Sequence, residues 1–274
     1  MKRTKDLGTK SGRILLFGGV YSNLQSLNKL MQIAALEGIP PENIICTGDI
    51  VGYCAQPEEC LQKIKAWGIH SILGNVEIQL RDGEEDCGCN FDNGSRCDLF
   101  SRQWYPFAKA NVSASSLEYL QLMPDHIQFK YAGKQCLVVH GHFHETAGYI
   151  FKSTSWEAKQ KQFDDAAVEI ILGGHSGLPF NDIKGSYLWL NAGVIGMPAN
   201  DGTTRVWYMI LDDKDGKLDF KHFSYEYDFA KANQLMKANH LPPQYAKTLR
   251  TGLWDNCEIL PDVETAQQGK MIHL

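Results

Sequence analysis

ILLFGGVYSNLQSL, residues 14–27, reads as a short apolar strand, a glycine turn and the opening of a helix. Strand-to-helix junctions of this kind are where layered α/β proteins place their chemistry. The turn here offers Gly18, Gly19, Val20, Tyr21 and Ser22. It has no carboxylate, no histidine and no glycine pattern that would cradle a phosphate. Downstream, Leu24, Leu27, Leu30, Met31 and Ala34 recur at helical spacing until GIPPEN stops the helix, and IICTGD follows as a second strand. A second helix fits PEECLQKIKAWG from Pro57, with HSILGN as the third strand, so the first third alternates β and α.

The middle of the chain changes character. RDGEEDCGCNFDNGSRCD is polar and glycine-bearing and predicts an ordered insertion near residues 82–97, ahead of helices around LFSRQWYPFAKANV and SSLEYLQLM. Sheet then resumes. HIQFKYAGKQCLVVHGH predicts a hairpin turning at Ala132, Gly133 and Lys134, and VEIILGGHSG, SYLWLNAG and TRVWYMILDDKDGKLDFKHF continue the strands. Residues 228–251 predict two short helices on a flank. The charged residues 1–12 read as a mobile leader and residues 13–274 as one domain, since no repeat or linker divides them.

Bulk properties bound the function. The 274 residues are 43% hydrophobic, enough for a sizeable core, and the formal net charge of -5 supplies no basic field for a polymeric nucleic acid. The N-terminal apolar run is too short for a signal peptide or a membrane span, so a cytoplasmic location without membrane attachment is expected. In that compartment the eight cysteines are expected as reduced thiols, with Cys46 and Cys136 inside apolar strands.

Polar residues suited to coordination stand at four separated strand ends: Gly48-Asp49, Gly74-Asn75, His140 in VVHG and His175 in GGH. In the order TGDIVGY, LGNVE, VVHGH, GGHSG and NAGVIGMP, these segments resemble the calcineurin-like metallophosphoesterase superfamily, over a span from Ile14 to about Leu249. Among its members the chain is similar to the compact bacterial branch of phosphodiesterases and diadenosine-polyphosphate hydrolases. The resemblance implies an α/β fold, a two-sheet β-sandwich flanked by α-helices, with a dinuclear metal centre at the strand ends. Two cations about 3.5–4 Å apart lower the pKa of a shared water and clamp phosphoryl oxygens.

Position by position, the resemblance implies that Asp49, Asn75, His140 and His175 hold the second metal, one divalent or trivalent ion such as Mn, Zn or Fe. Ligands belonging to the first metal alone are replaced: Gly19 and Tyr21 stand where an Asp-x-His pair is expected, and Gly177 where a further His is expected. Val76 replaces the histidine that assists phosphoryl transfer. The implied ligand is phosphate or a small phosphorylated molecule of nucleotide-like kind, hydrolysed at an incomplete site; the alternative is a non-catalytic descendant whose pocket binds a phosphate, a nucleotide or a protein partner.

Several residues keep two readings. His142, two beyond His140, faces the same way if the strand continues, and could approach the vacated position; otherwise it and His144 are solvated. Glu77 could serve as acid or base, or orient a loop. Tyr21 could ligate as a phenolate or fill the space left by a metal. Cys87, Cys89 and Cys97 could join a zinc or iron-sulfur site, although three thiols with C-x-C spacing fall short of the usual closed set.

Overall fold

The computed structural model describes residues 2–89 and 91–274. Among these, two sheets face each other. One carries β2 (Ile14–Phe17), β3 (Ile44–Cys46), β4 (His70–Ser71), β10 (Val206–Asp212) and β11 (Asp219–Tyr225), in the order β11-β10-β2-β3-β4. The other carries β1 (Thr4–Thr9), β5 (His126–Tyr131), β6 (Lys134–Val138), β7 (Ile170–Gly173), β8 (Pro179–Lys184) and β9 (Tyr187–Ala192), in the order β1-β5-β6-β7-β9-β8. Helices α1 (Leu24–Leu36), α2 (Pro57–Trp67), α3 (Asn75–Asp82), α4 (Arg96–Ala110), α5 (Ala114–Leu122), α7 (Phe229–Ala238) and α8 (Pro243–Thr251) accompany the first sheet. The helix α6 (Trp156–Ala166) packs on the second, and the short α9 (Asp262–Thr265) lies in the C-terminal segment. This is the two-sheet, helix-flanked α/β fold that the sequence predicts.

The period-two geometry of a strand explains why ILLF is continuously apolar. Ile14 and Leu16 point into the space between the sheets, with Ile45, Ile127, Phe129, Val138, Leu172 and Met209. Leu15 and Phe17 point outward, against Leu27 and Leu30 of α1. Leu137, Val139, Ile171 and Trp189 similarly cover Phe163 of α6 on the opposite flank. With both faces buried, no position on the strand can be polar.

β2, β3 and β4 run parallel, as do β6, β7 and β9. Their carboxyl ends therefore open on shared edges, and every predicted ligand follows one of these ends.

The N-terminal residues differ from expectation. Residues 1–12 do not form a leader as a whole: β1 pairs in parallel with β5, Thr4 opposite His126 and Asp6 opposite Gln128. Lys10 N–H donates to the Lys130 carbonyl, and the Arg3 guanidinium reaches the carbonyls of Gln121 and Met123. β1 is almost wholly exposed. An edge strand is held by backbone hydrogen bonds on one side, so its charged side chains carry no apolar pattern to announce it. Among the described residues, no helix is long and apolar enough to cross a membrane.

Candidate metal centre

The Asp49, Asn75, His140 and His175 side chains converge. His140 Nδ1 lies 2.7 Å from the Thr47 carbonyl, which can accept only a hydrogen bond, so this nitrogen carries the proton and Nε2 presents a lone pair. Around Nε2 stand Asn75 Oδ1 at 3.1 Å, His175 Nδ1 at 3.0 Å and Asp49 Oδ2 at 3.2 Å. Asp49 Oδ1 is buried with no hydrogen-bond partner among the described residues. Several lone-pair atoms gathered about one point repel one another unless a cation or a proton sits among them.

The electrostatics follow. Burial disfavours a charged His140, but the adjacent Asp49 carboxylate and the Thr47 carbonyl outweigh it and hold its pKa above the ordinary value. Burial, reinforced by His140, pushes His175 down to about 3, so it stays neutral as a ligand must be. A coordination shell with bonds of about 2.0–2.2 Å spaces adjacent ligands by about 3.0–3.5 Å. The donor spacing matches that, and one carboxylate, two imidazoles and an amide oxygen suit Mn, Zn or Fe.

Local backbone explains how these atoms meet. Asp49 and His175 both sit in the left-handed region, at φ 54° and 60°. Non-glycine residues held there mark imposed geometry, which clusters at functional sites. Gly74 allows the closest approach, because a Cβ there would overlap Asp49 Oδ1. The opening turn has a role that needs no reactive side chain. Gly19, Tyr21 and Ser22 donate backbone N–H groups to the carbonyls of Gly48, Asp49 and Ile50, clamping the loop that carries Asp49.

Of the two readings of Glu77, its contacts fit the orienting one. It is fully buried; Oε2 accepts from the N–H groups of Asp49 at 2.8 Å and Gly74 at 2.9 Å, and Oε1 accepts from Val51 at 2.9 Å. It is a positioning residue that ties the Asp49 loop to the start of α3. Glu77→Gln keeps the shape but turns one oxygen into a donor facing a backbone donor. We expect a loss of about 1–3 kcal/mol in urea unfolding and about 10–100-fold weaker metal binding by calorimetry. Unchanged values for both would show that the three contacts carry nothing.

The remaining residues are placed as follows. His142 does not join the cluster: β6 ends at Val138, and the chain then turns so that His142 N–H donates to the Glu145 carbonyl. Its ring lies against Gly148, where an added Cβ would come within 2.5 Å of Cδ2. The alternation that would have aimed it at the metal site has already ended. His144 pairs with Asp165 at the surface. Val76 is buried at the start of α3. Arg205 pairs with Asp201 and the Ile272 carbonyl, away from the cluster.

The Cys87 and Cys89 sulfur atoms meet, their Cα atoms 5.4 Å apart, while Cys46, Cys54, Cys60, Cys97, Cys136 and Cys257 are free. No cysteine belongs to a metal-ligand group among the described residues. Instead Asn75 Nδ2 donates to the Cys87 carbonyl and contacts Cys89 Sγ, which leaves Oδ1 facing His140.

Aromatic rings crowd the space beside Gly19 and Gly177. A Cβ on Gly19 would lie 2.5 Å from Tyr21 Cζ and 2.6 Å from Val194 Cγ1. Burial and the Asp49 charge push the Tyr21 phenol well up, so without a metal the ring is neutral. A Cβ on Gly177 would lie 3.3 Å from the Trp254 indole. Trp254 went unnoticed in sequence, as did Tyr149, whose ring lies 4.4 Å from that of His175. Only their aromatic character could have drawn attention to them, and it does not distinguish a pocket wall from core.

Facing sheets, helices on both flanks and a donor cluster at common strand ends define a metallophosphoesterase-type architecture. Residues 14–216 match the calcineurin-like phosphoesterase superfamily domain, and the chain belongs to that superfamily. It is 28% identical over 258 residues to an uncharacterized protein of Methanocaldococcus jannaschii, covering 87% of this chain and 98% of the relative. In fold it is similar to a metallophosphoesterase from Sphaerobacter thermophilus, with a TM-score of 0.70, 22% identity, and coverage of 89% of this chain and 100% of that one. A hypothetical protein from Pyrococcus horikoshii OT3 gives a TM-score of 0.71 at 18% identity, covering 88% of this chain and 99% of that one.

Proposed function

We propose that the chain holds one cation through Asp49, Asn75, His140 and His175 and hydrolyses a small phosphomonoester or phosphodiester. The observation that carries this reading is the convergence on His140 Nε2 of three further lone-pair donors within 3.2 Å, in a buried site. A cation bound there supplies Lewis acidity toward a phosphoryl oxygen and an acidified water. The chain contributes the rest. Asp49 supplies the one negative charge among the four donors, the Thr47 carbonyl fixes the His140 tautomer, and Glu77 holds the Asp49 loop in register. Tyr21 and Trp254 occupy the neighbouring space, which favours one cation over two.

A second reading draws on those same two rings: the pocket binds a phosphorylated ligand without turning it over. One experiment separates the two. Protein purified without chelator is assayed for bound metal, then for turnover of p-nitrophenyl phosphate and bis(p-nitrophenyl) phosphate with Mn, Zn or Fe. The expected result is one equivalent, with turnover removed by chelation and restored by metal. One equivalent with no turnover over a broad ester panel leaves the binding reading, and two equivalents refute the single-cation site.

A further inference from the structure

The cavity beside the donor cluster has six aromatic side chains among its lining residues. Tyr21, Tyr53, Phe91, Tyr149, Tyr245 and Trp254 line it. Tyr21 and Tyr53 meet at 4.7 Å and 62°, Tyr53 and Tyr245 at 4.6 Å and 52°. Phe100 backs Tyr245 at 5.3 Å and 75°. None of these pairs is parallel, so the rings form the corners of a box rather than the two faces of a slot for a flat heterocycle. Tyr149 carries the lining down to His175.

Charge points the same way. Among the described residues no lysine or arginine lines the cavity, whereas Asp49 and Asp255 do. Arg96 pairs with Asp255 at 2.6 Å and lies over the Phe100 ring. The enclosed volume is about 80 Å³, small beside the about 300–1,000 Å³ of sites for drug-sized ligands. A small box of π faces with no lysine or arginine on its wall attracts a rounded organic cation.

We propose that this cavity receives the alkylated ammonium group of a phosphorylated amino alcohol, with its phosphate directed to the donor cluster. The placement of the phosphate rests on the function proposed above; the recognition of the cation rests on the box alone. In hydrolysis, water attacks phosphorus and the bond to the ester oxygen breaks. That oxygen leaves with a proton as the amino alcohol, and inorganic phosphate remains.

The test uses the full chain loaded with Mn and compares phosphocholine with 3,3-dimethylbutyl phosphate, which has the same shape with carbon in place of the charged nitrogen. Phosphocholine is expected to be preferred by about tenfold or more in kcat/KM, the scale of one or two desolvated cation-π contacts. Trp254→Leu and Tyr149→Leu are expected to bring that ratio toward one. Equal values for the two esters in the unaltered protein, or preference for a nucleoside monophosphate over both, overturns the box while leaving phosphoester hydrolysis standing. If no ester is turned over, choline and 3,3-dimethylbutanol are compared by tryptophan fluorescence titration. Tighter binding of choline then supports the box and rejects hydrolysis; equal binding rejects the box.

Discussion

Asp49→Asn is expected to weaken Mn or Zn binding by at least about 100-fold, beyond the about 10–100-fold typical of outer partners, and to bring ester turnover to background. The substitution preserves volume and removes the only negative charge among the four donors. Its effect on folding runs the other way. The Asp49 carboxylate is buried, one of its oxygens has no partner, and it stands beside a buried carboxyl on Glu77. Burial and the Asp49 charge together push Glu77 up to about 7. Removing the Asp49 charge relieves the Glu77 carboxyl and takes a buried charge out of the site, so the metal-free variant is expected to melt at or above the temperature of the metal-free parent. Competition with a chelating dye and differential scanning fluorimetry measure the two effects on one preparation. Retained affinity would place the cation elsewhere. A large fall in Tm would make Asp49 a structural residue first.

Gly19→Asp alone is expected to cost about 2–4 kcal/mol of stability and to recruit no second metal, from overpacking of about 1–3 kcal/mol plus about 1 kcal/mol for losing a left-handed glycine. Its Cβ meets Tyr21 and Val194, and φ at this position is +33°. The combination Gly19→Asp, Tyr21→His, Val194→Ala and Gly177→His removes the obstructing ring and methyl groups and supplies the donors the superfamily resemblance implies. Trp254 must also shift from its 3.3 Å approach to Gly177. Metal analysis of the combined variant is expected to give two equivalents against one for the parent. A sharp rise in turnover would show that only the first cation is missing. If the single substitution by itself bound a second metal with unchanged urea midpoint, the rings would be no barrier.

These two variants touch the part of the site that was most legible in sequence. Asp49, His140 and His175 follow apolar runs whose periodicity fixes where the strand stops, and strands that run parallel bring their ends together. Asn75 was readable for the same reason. Glu77 was not, because an acid three residues into a helix looks alike whether it serves chemistry or accepts backbone N–H groups. His142 misled because the alternation of a strand was extended past the end of that strand. β1 escaped notice since an edge strand is specified by hydrogen bonds that leave no trace in side-chain pattern. Gly19 and Gly177 were legible as departures from the superfamily pattern; that aromatic rings crowd them depends on contacts across the chain, as with Trp254 over Gly177.

Trp254 is tethered by its backbone N–H to Asn200 Oδ1 and by its indole N–H to the Pro198 carbonyl, each at 2.8 Å. It and Tyr245 come from chain beyond residue 216, where the match to the superfamily domain ends. Part of the pocket wall is therefore encoded apart from the stretch that carries the donors, although Tyr21, Tyr53, Phe91 and Tyr149 lie within that stretch. Exchange of the carboxyl-terminal segment between relatives could redirect what such a protein accepts while every donor at the strand ends stayed in place.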